Sequence, residues 1–180
     1  YFNKKINLDK KIKKNVISHP MWKMGINNSI DSSNFINKVL EIFELSIIYT
    51  ITLSKVDFLI SQEAFIHSLI CFKDNTININ CFENDMLIPL IKPLTLSIKS
   101  NELDLKSKKY LDFNNLRLEI FNDKRFKISK FFKKIKKFTH NQQISFMILN
   151  NYAHQLYLNG KLPYANIIDY ILDNIEPQKG

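Results

Sequence analysis

The chain predicts an α+β fold in which a small mixed sheet with helices is followed by a short all-α helical bundle. Three observations carry this. Short β-type runs flank a Lys73-Asp74-Asn75 turn in the first half, and three amphipathic helical stripes fill the second. Only three glycines occur, none in a phosphate-binding fingerprint, so no Rossmann domain is expected in this chain. With 180 residues and 45% hydrophobic content, the chain can bury one ordinary core or two small ones. The chain reads as a mixed segment 1–94, a linker 95–121, polar and weakly periodic from Thr95 to Lys109, and a helical segment 122–180.

In order along the chain, residues 1 to 18 are rich in Lys and Asn and read as a loosely held surface segment. Met21 to Ile30 (MWKMGINNSI) shows neither a helical nor a strand period and reads as a loop, able to act as a mobile cover over a site. Asp31, Ser32, Ser33 and Asn34 offer N-cap side chains to an amphipathic helix whose apolar stripe is Phe35, Val39, Phe43 and Ile47. Its other side carries Asn37, Lys38, Glu41 and Glu44 at three- and four-residue intervals, which brings an amide, an ammonium and two carboxylates onto one surface. Residues 55 to 60 (KVDFLI) read as a strand, and FIHSLICF and TININCF as a hairpin, in a sheet expected to be covered on much of both faces. Pro89 and Pro93 close this half. Beyond it, Phe131, Ile135 and Phe138 form one helical stripe, Ile144 to Leu158 a second and Tyr164 to Ile175 a third, with Gly160 and Pro163 punctuating the last two.

Composition excludes several classes. No apolar run approaches the roughly 20 residues of a membrane-spanning helix. Cys71 and Cys81 cannot form a disulfide framework, which suits a reducing interior, and no secretory signal is visible. Lys plus Arg is 26 against 17 acidic residues, a net charge of +9, yet Arg117 and Arg125 are the only arginines. Base-edge recognition favours the Arg fork, so this charge indicates attraction to small anions rather than nucleic-acid binding. The basic run KISKFFKKIKKF from Lys127 to Phe138 places its apolar residues on one stripe and reads as a bundle helix with solvated lysines. His19, Glu41, Glu44 and His67 could converge on a metal only through the fold. Alone, His67 reads as a hydrogen-bonded strand histidine and Glu41 with Glu44 as a solvated helix face. The chain opens on Tyr1, as a processed product or a fragment would.

The ordered blocks HPMWKMG, IDSSNFINKVLEIFE, FLISQEAFIHSLICFKDNT, ENDMLIPLI and LDFNNL resemble the second half of the 1-deoxy-D-xylulose 5-phosphate reductoisomerase family, over roughly residues 15 to 121. LYLNGKLPYANI matches the family's helical end more loosely. The resemblance implies that 1–94 is the C-terminal part of a catalytic domain and that 122–180 is an incomplete helical domain. It implies an NADPH- and divalent-metal-dependent oxidoreductase of non-mevalonate isoprenoid biosynthesis that converts 1-deoxy-D-xylulose 5-phosphate to 2-C-methyl-D-erythritol 4-phosphate. His19, Trp22, Met24 and Gly25 would belong to the loop that closes over the phosphorylated sugar, with Gly25 near the nicotinamide. Ser32, Asn37 and Lys38, helped by His19, would hold the phosphate. Glu41 would ligate Mg²⁺ or Mn²⁺ and also contact substrate, Glu44 would stand by, and His67 would sit beside the site.

This sequence departs from the family pattern at several places. The NADPH-binding domain, the two other acidic metal ligands and an upstream phosphate-binding Ser have no counterpart here. Met21 replaces Asn, Asn27 stands where Lys is usual, Ser61-Gln62 replaces His-Pro, and Asn84 and Leu87 alter the PDMR segment. The helix start NAANE has become MILNN at Met147 to Asn151. One carboxylate cannot hold a catalytic metal, so the chain alone is expected to be inactive. The alternative is a non-catalytic remnant that binds anions or a protein. A homodimer is expected of the complete enzyme, without nucleic acid or membrane, in the bacterial cytoplasm or, in a plastid-bearing cell, in the plastid.

Overall fold

A computed structural model describes residues 25–61, 65–82, 88–89, 91, 118–120 and 127–175. It divides into two compact units, one of Tyr1–Phe58 with Asn122–Gly180 and one of Leu59–Phe121.

The first unit is helical. Helix α1 (Ile26–Asn34) and helix α2 (Ile36–Ile48) are separated by Phe35 alone, which adopts a left-handed conformation with φ 67° and ψ 12°. L-residues with a Cβ are strained there, and the helical hydrogen-bond pattern cannot run through it. The Asn34 side chain repairs part of the break, because its Oδ1 accepts the Ile36 N–H at 2.9 Å, a donor the new helix start would otherwise leave unpaired. The loop expected over Met21 to Ile30 is corrected where it is described: from Ile26 onward these residues are helix. The sequence hid this because the inward face of α1 is largely polar, with Ser29, Asp31, Ser33 and Asn34 buried beside Ile30. The expected stripe of α2 also shifts. Ile36, Val39, Ile42 and Phe43 are buried, whereas Phe35 lies outside the helix and Ile47 is 53% exposed in its last turn.

Helix α3 (Lys127–Ile135) buries Ile128, Phe131, Phe132 and Ile135 along one stripe, and Phe138 follows in the turn, as the bundle reading of this basic run requires. Thr139 then starts helix α4 (His140–Leu158) with a capping box: its Oγ1 accepts from Gln142 N while the Gln142 side chain accepts from Thr139 N. Gly160, at φ 74°, supplies the left-handed residue beyond the end of α4, and a short 3₁₀ turn, Tyr164–Asn166, leads into helix α5 (Ile167–Asn174). The core is aromatic at its centre. Phe43 meets Phe146 edge-on at 5.6 Å between ring centroids, Phe131 lies 6.0 Å from Phe146, and Ile135, Ile167 and Ile171 are buried in the same unit. Each such ring pair contributes about 0.5–1.5 kcal/mol beyond area burial. Near the surface, Phe58 lies 4.5 Å from Phe132 and Asp57 pairs with Lys136 at 2.6 Å.

The second unit is a β-unit. Strand β1 (Leu59–Ile60) is all that forms of the strand expected over 55–60, since Leu53–Lys55 is a 3₁₀ turn. Strands β2 (Ile66–Cys71) and β3 (Ile77–Cys81) make the expected hairpin, and β1 pairs with strand β4 (Glu119–Ile120). Both pairs are antiparallel, so among the described residues the sheet expected to be mixed is instead two antiparallel ladders. The hairpin turn is pinned locally. Asn75 takes φ 68°, and Asp74 Oδ1 accepts from Thr76 N at 2.9 Å and Thr76 Oγ1 at 2.7 Å, which holds the Asp74 pKa below its ordinary value. Within the chain the hairpin is open rather than covered, with Ile70, Phe72, Ile77 and Ile79 all exposed. No helix among the described residues is long and apolar enough to cross a membrane.

Candidate functional site

Three of the residues singled out in the sequence meet on the first turns of α2. Lys38 Nζ donates to both carboxylate oxygens of Glu41, at 2.8 and 2.9 Å, and Asn37 Nδ2 lies 3.4 Å from Glu41 Oε1. The spacing of three and four residues accounts for this, because it stacks side chains over adjacent turns. The cluster lies at the surface, and an ion pair as open as this one contributes at most about 1 kcal/mol to stability. An ammonium, an amide donor and a carboxylate side by side can receive one anion and one cation together. Glu44, one turn further on, is exposed.

Ser32 is half-buried in α1, on the other side of the Phe35 break from the cluster. Gly25 precedes α1, and a Cβ there would meet nothing within 4 Å, so its backbone is open to approach. His19, Trp22 and Met24 lie outside the described residues. His67 belongs to the other unit. Between Ile66, paired with Cys81, and Ser68, paired with Asn80, the register slips by one, and His67 is the extra residue of the bulge. Its ring stacks on Phe82 at 3.5 Å and its Nε2 lies 3.2 Å from the Phe82 carbonyl oxygen.

Sequence reasoning missed a second polar group, inside the helical unit. Asp31, Asn150 and His154 are all at least 95% buried. Asn150 Nδ2 donates to Asp31 Oδ1 at 3.0 Å, and His154 Nε2 reaches the same oxygen at 2.9 Å, a close polar contact without the alignment of a hydrogen bond. Two residues on, Ser33 Oγ donates to the Ile30 carbonyl and lies 2.7 Å from the Tyr164 hydroxyl. Tyr164 in turn packs edge-on against Tyr157, whose hydroxyl pKa is raised by burial. The only signal in the sequence was the spacing of Gln143, Asn150 and His154, seven and four residues apart, which puts three polar side chains on one face of the helix.

Among the described residues no three His, Cys, Asp or Glu side chains converge as a metal cluster. Glu41 is therefore one hard oxygen donor of the kind Mg²⁺ prefers, and the other donors such a cation needs must come from elsewhere.

The chain is similar in sequence and in fold to known proteins. The family model described as "1-deoxy-D-xylulose 5-phosphate reductoisomerase C-terminal domain" matches residues 1–49. The 1-deoxy-D-xylulose 5-phosphate reductoisomerase of Pseudothermotoga lettingae is 29% identical over 97% of this chain and 48% of its own length. The apicoplastic enzyme of Plasmodium falciparum is 30% identical over 92% of this chain and 34% of its own. The chain thus spans half or less of the relatives it matches. Its fold is that of the corresponding part of a reductoisomerase solved with NADPH, fosmidomycin and magnesium, with a TM-score of 0.76, 22% identity, and 95% of this chain and 42% of that one covered. The Zymomonas mobilis enzyme, solved with NADPH, gives a TM-score of 0.75 at 23% identity, covering 94% of this chain and 44% of that one.

Proposed function

Because the chain belongs to the 1-deoxy-D-xylulose 5-phosphate reductoisomerase family, as a divergent C-terminal portion, we propose that it carries the phosphate-binding and part of the metal-binding surface of such an enzyme. The reaction is conversion of 1-deoxy-D-xylulose 5-phosphate to 2-C-methyl-D-erythritol 4-phosphate in isoprenoid biosynthesis. The observation that supports this best is the Asn37, Lys38 and Glu41 cluster, because these residues also match the family's pattern.

In this reading Ser32, Asn37 and Lys38, with His19, hold the phosphate through hydroxyl and amide donors and one point charge. Trp22 and Met24 cover the substrate and Gly25 lets the nicotinamide of NADPH approach. Glu41 gives one carboxylate to Mg²⁺ or Mn²⁺ and reaches the substrate beside it, with Glu44 in support. His67 orients groups next to the site. When bound, the metal supplies Lewis-acid polarisation of substrate oxygens and NADPH supplies hydride. Lys38 and Glu41 neutralise each other, and binding exchanges that pair for two ligand contacts, Lys38 to phosphate and Glu41 to cation. The exposed pair costs little to break, so the cluster can open.

Residues 1–94 then act as catalytic-domain surface, 95–121 as linker and 122–180 as an incomplete helical domain. The hairpin over 65–82 offers the pairing edge for a homodimer through its open apolar residues. The setting is the bacterial cytoplasm or a plastid. A second reading, a non-catalytic module that binds anions or a protein, is favoured by one observation: among the described residues no three His, Cys, Asp or Glu side chains gather around Glu41 to hold a metal.

The test is NADPH oxidation with 1-deoxy-D-xylulose 5-phosphate and Mg²⁺, for the chain alone and mixed with the N-terminal half of a relative. The chain alone should match its Glu41→Gln control, and activity should rise on mixing. Turnover by the chain alone above that control removes the claim that it is incomplete. No activity on mixing, with phosphate still bound, makes the anion-binding module the function.

A further inference from the structure

The reading above leaves unused a buried polar group of the helical unit, and its placement relates to the phosphate residues. Ser32 has tethered neighbours on both sides. Asp31 is held by Asn150 and His154 of α4, and Ser33 by Tyr164 of the turn before α5. All of these partners lie more than a hundred residues along the chain from α1. A two-point tether of this kind fixes both the position and the rotation of a single helical turn. The next residues are Asn34, which caps α2, and the left-handed Phe35. Whatever sets the rotation of α1 at Asp31 and Ser33 therefore also sets where α2 starts and where Asn37 and Lys38 stand. A buried carboxylate needs partners, but stability alone would be served as well by an apolar residue of similar size, so the polar tether adds orientation.

We infer that His154, Asn150 and Tyr164 are positioning residues for the phosphate subsite, acting through Asp31 and Ser33 on Ser32, Asn37 and Lys38. This deepens the functional reading and rests on it. The C-terminal helices then serve as the template against which the phosphate-binding turn is registered. None of the three touches the ligand, so their effect falls on affinity and not on the chemistry of the bound group.

The experiment is a titration of the protein with inorganic phosphate, followed through the amide signals of Ser32, Asn37 and Lys38, with thermal unfolding measured in parallel. His154→Leu removes the ring nitrogen that touches Asp31, His154→Gln restores a polar group at a similar reach, and Tyr164→Phe removes one hydroxyl while keeping the ring that packs on Tyr157. The expected result is a loss of affinity of tenfold or more for His154→Leu, recovery to within about threefold for His154→Gln, and a several-fold loss for Tyr164→Phe, out of proportion to any change in Tm. If folded His154→Leu and Tyr164→Phe bind phosphate like the wild type, the positioning role is overturned while the phosphate site stands. Should His154→Leu fail to fold, Tyr164→Phe decides alone. If the wild type binds no phosphate, or Lys38→Ala binds as well as wild type, the functional reading falls, and the positioning role with it.

Discussion

The helical unit and the β-hairpin solve the problem of order in opposite ways. In the helical unit the defining contacts are distant in sequence: Phe43 meets Phe146, and Asp31 meets Asn150 across 119 residues. In the hairpin they are local. Asp74 binds Thr76, Asn75 N–H donates to the Phe72 carbonyl at 3.1 Å, and the ladder zips outward from there while its apolar side chains stay open. Aromatic burial and desolvated polar contacts order the first, while turn chemistry and backbone pairing order the second. Damage to a core residue should therefore be large and should leave the hairpin turn untouched, whereas damage to the turn should stay local.

The sharpest break in this contrast is Phe146→Ala, which removes a fully buried ring touching Phe43 and Phe131. Chemical denaturation should show a loss of about 3–5 kcal/mol from the helical transition. The Thr76 amide should keep its hydrogen-exchange protection; loss of that protection would mean that the hairpin depends on the helical core. Next comes Asp31→Ala, which leaves the buried Asn150 amide without its acceptor and His154 without the carboxylate it touches. A loss of about 1–3 kcal/mol is expected, and an unchanged midpoint would mean that the network carries no stability. Glu41→Gln should cost less than about 1 kcal/mol, because its pair with Lys38 is open to water. A larger loss in thermal unfolding would show the cluster to be structural rather than reserved for ligands. The smallest effect belongs to the hairpin turn. The folded pKa of Asp74 is depressed, chiefly by the Thr76 hydroxyl and then by the Thr76 N–H. Its contribution is therefore present above the unfolded value near 3.8 and is lost as pH falls below it through the folded pKa. The protection of the Thr76 amide, relative to an unstructured peptide at the same pH, should fall in that acid range, and Asp74→Asn should abolish the dependence.

Local signals were legible in the sequence and tertiary choices were not. The hairpin could be placed from Lys73-Asp74-Asn75 and its flanking β-branched runs because turn chemistry is written in adjacent residues. The stripe Ile128, Phe131, Ile135 and Phe138 could be read because lysines fill the rest of that surface. Helix α4 was read as an apolar stripe from Ile144 to Leu158, yet Ile144, Ile148 and Tyr152 are exposed, and the buried face is Gln143, Phe146, Asn150, Ala153, His154 and Tyr157. Apolar residues surround that helix, so periodicity alone could not choose a face. Asp31 looked like a cap because acidic and hydroxyl residues before an apolar run usually are caps, whereas a long-range partner on α4 made it a buried anchor. Asn37, Lys38 and Glu41 were found together because helical spacing alone brings them there.

The first unit is written in two instalments, with the hairpin unit spelled out between them. On a ribosome adding about 5–20 residues per second, Asp31 is incorporated about 6–24 seconds before Asn150. During that interval α1 presents its polar inward face, and α2 its row of Ile36, Val39, Ile42 and Phe43, with no partner helix yet made, while the locally encoded hairpin can already close. Newborn chains should therefore be most exposed to chaperones and proteases at α2. A synonymous slowdown between the hairpin and α4 should lower the yield of folded protein more than the same slowdown placed after α5.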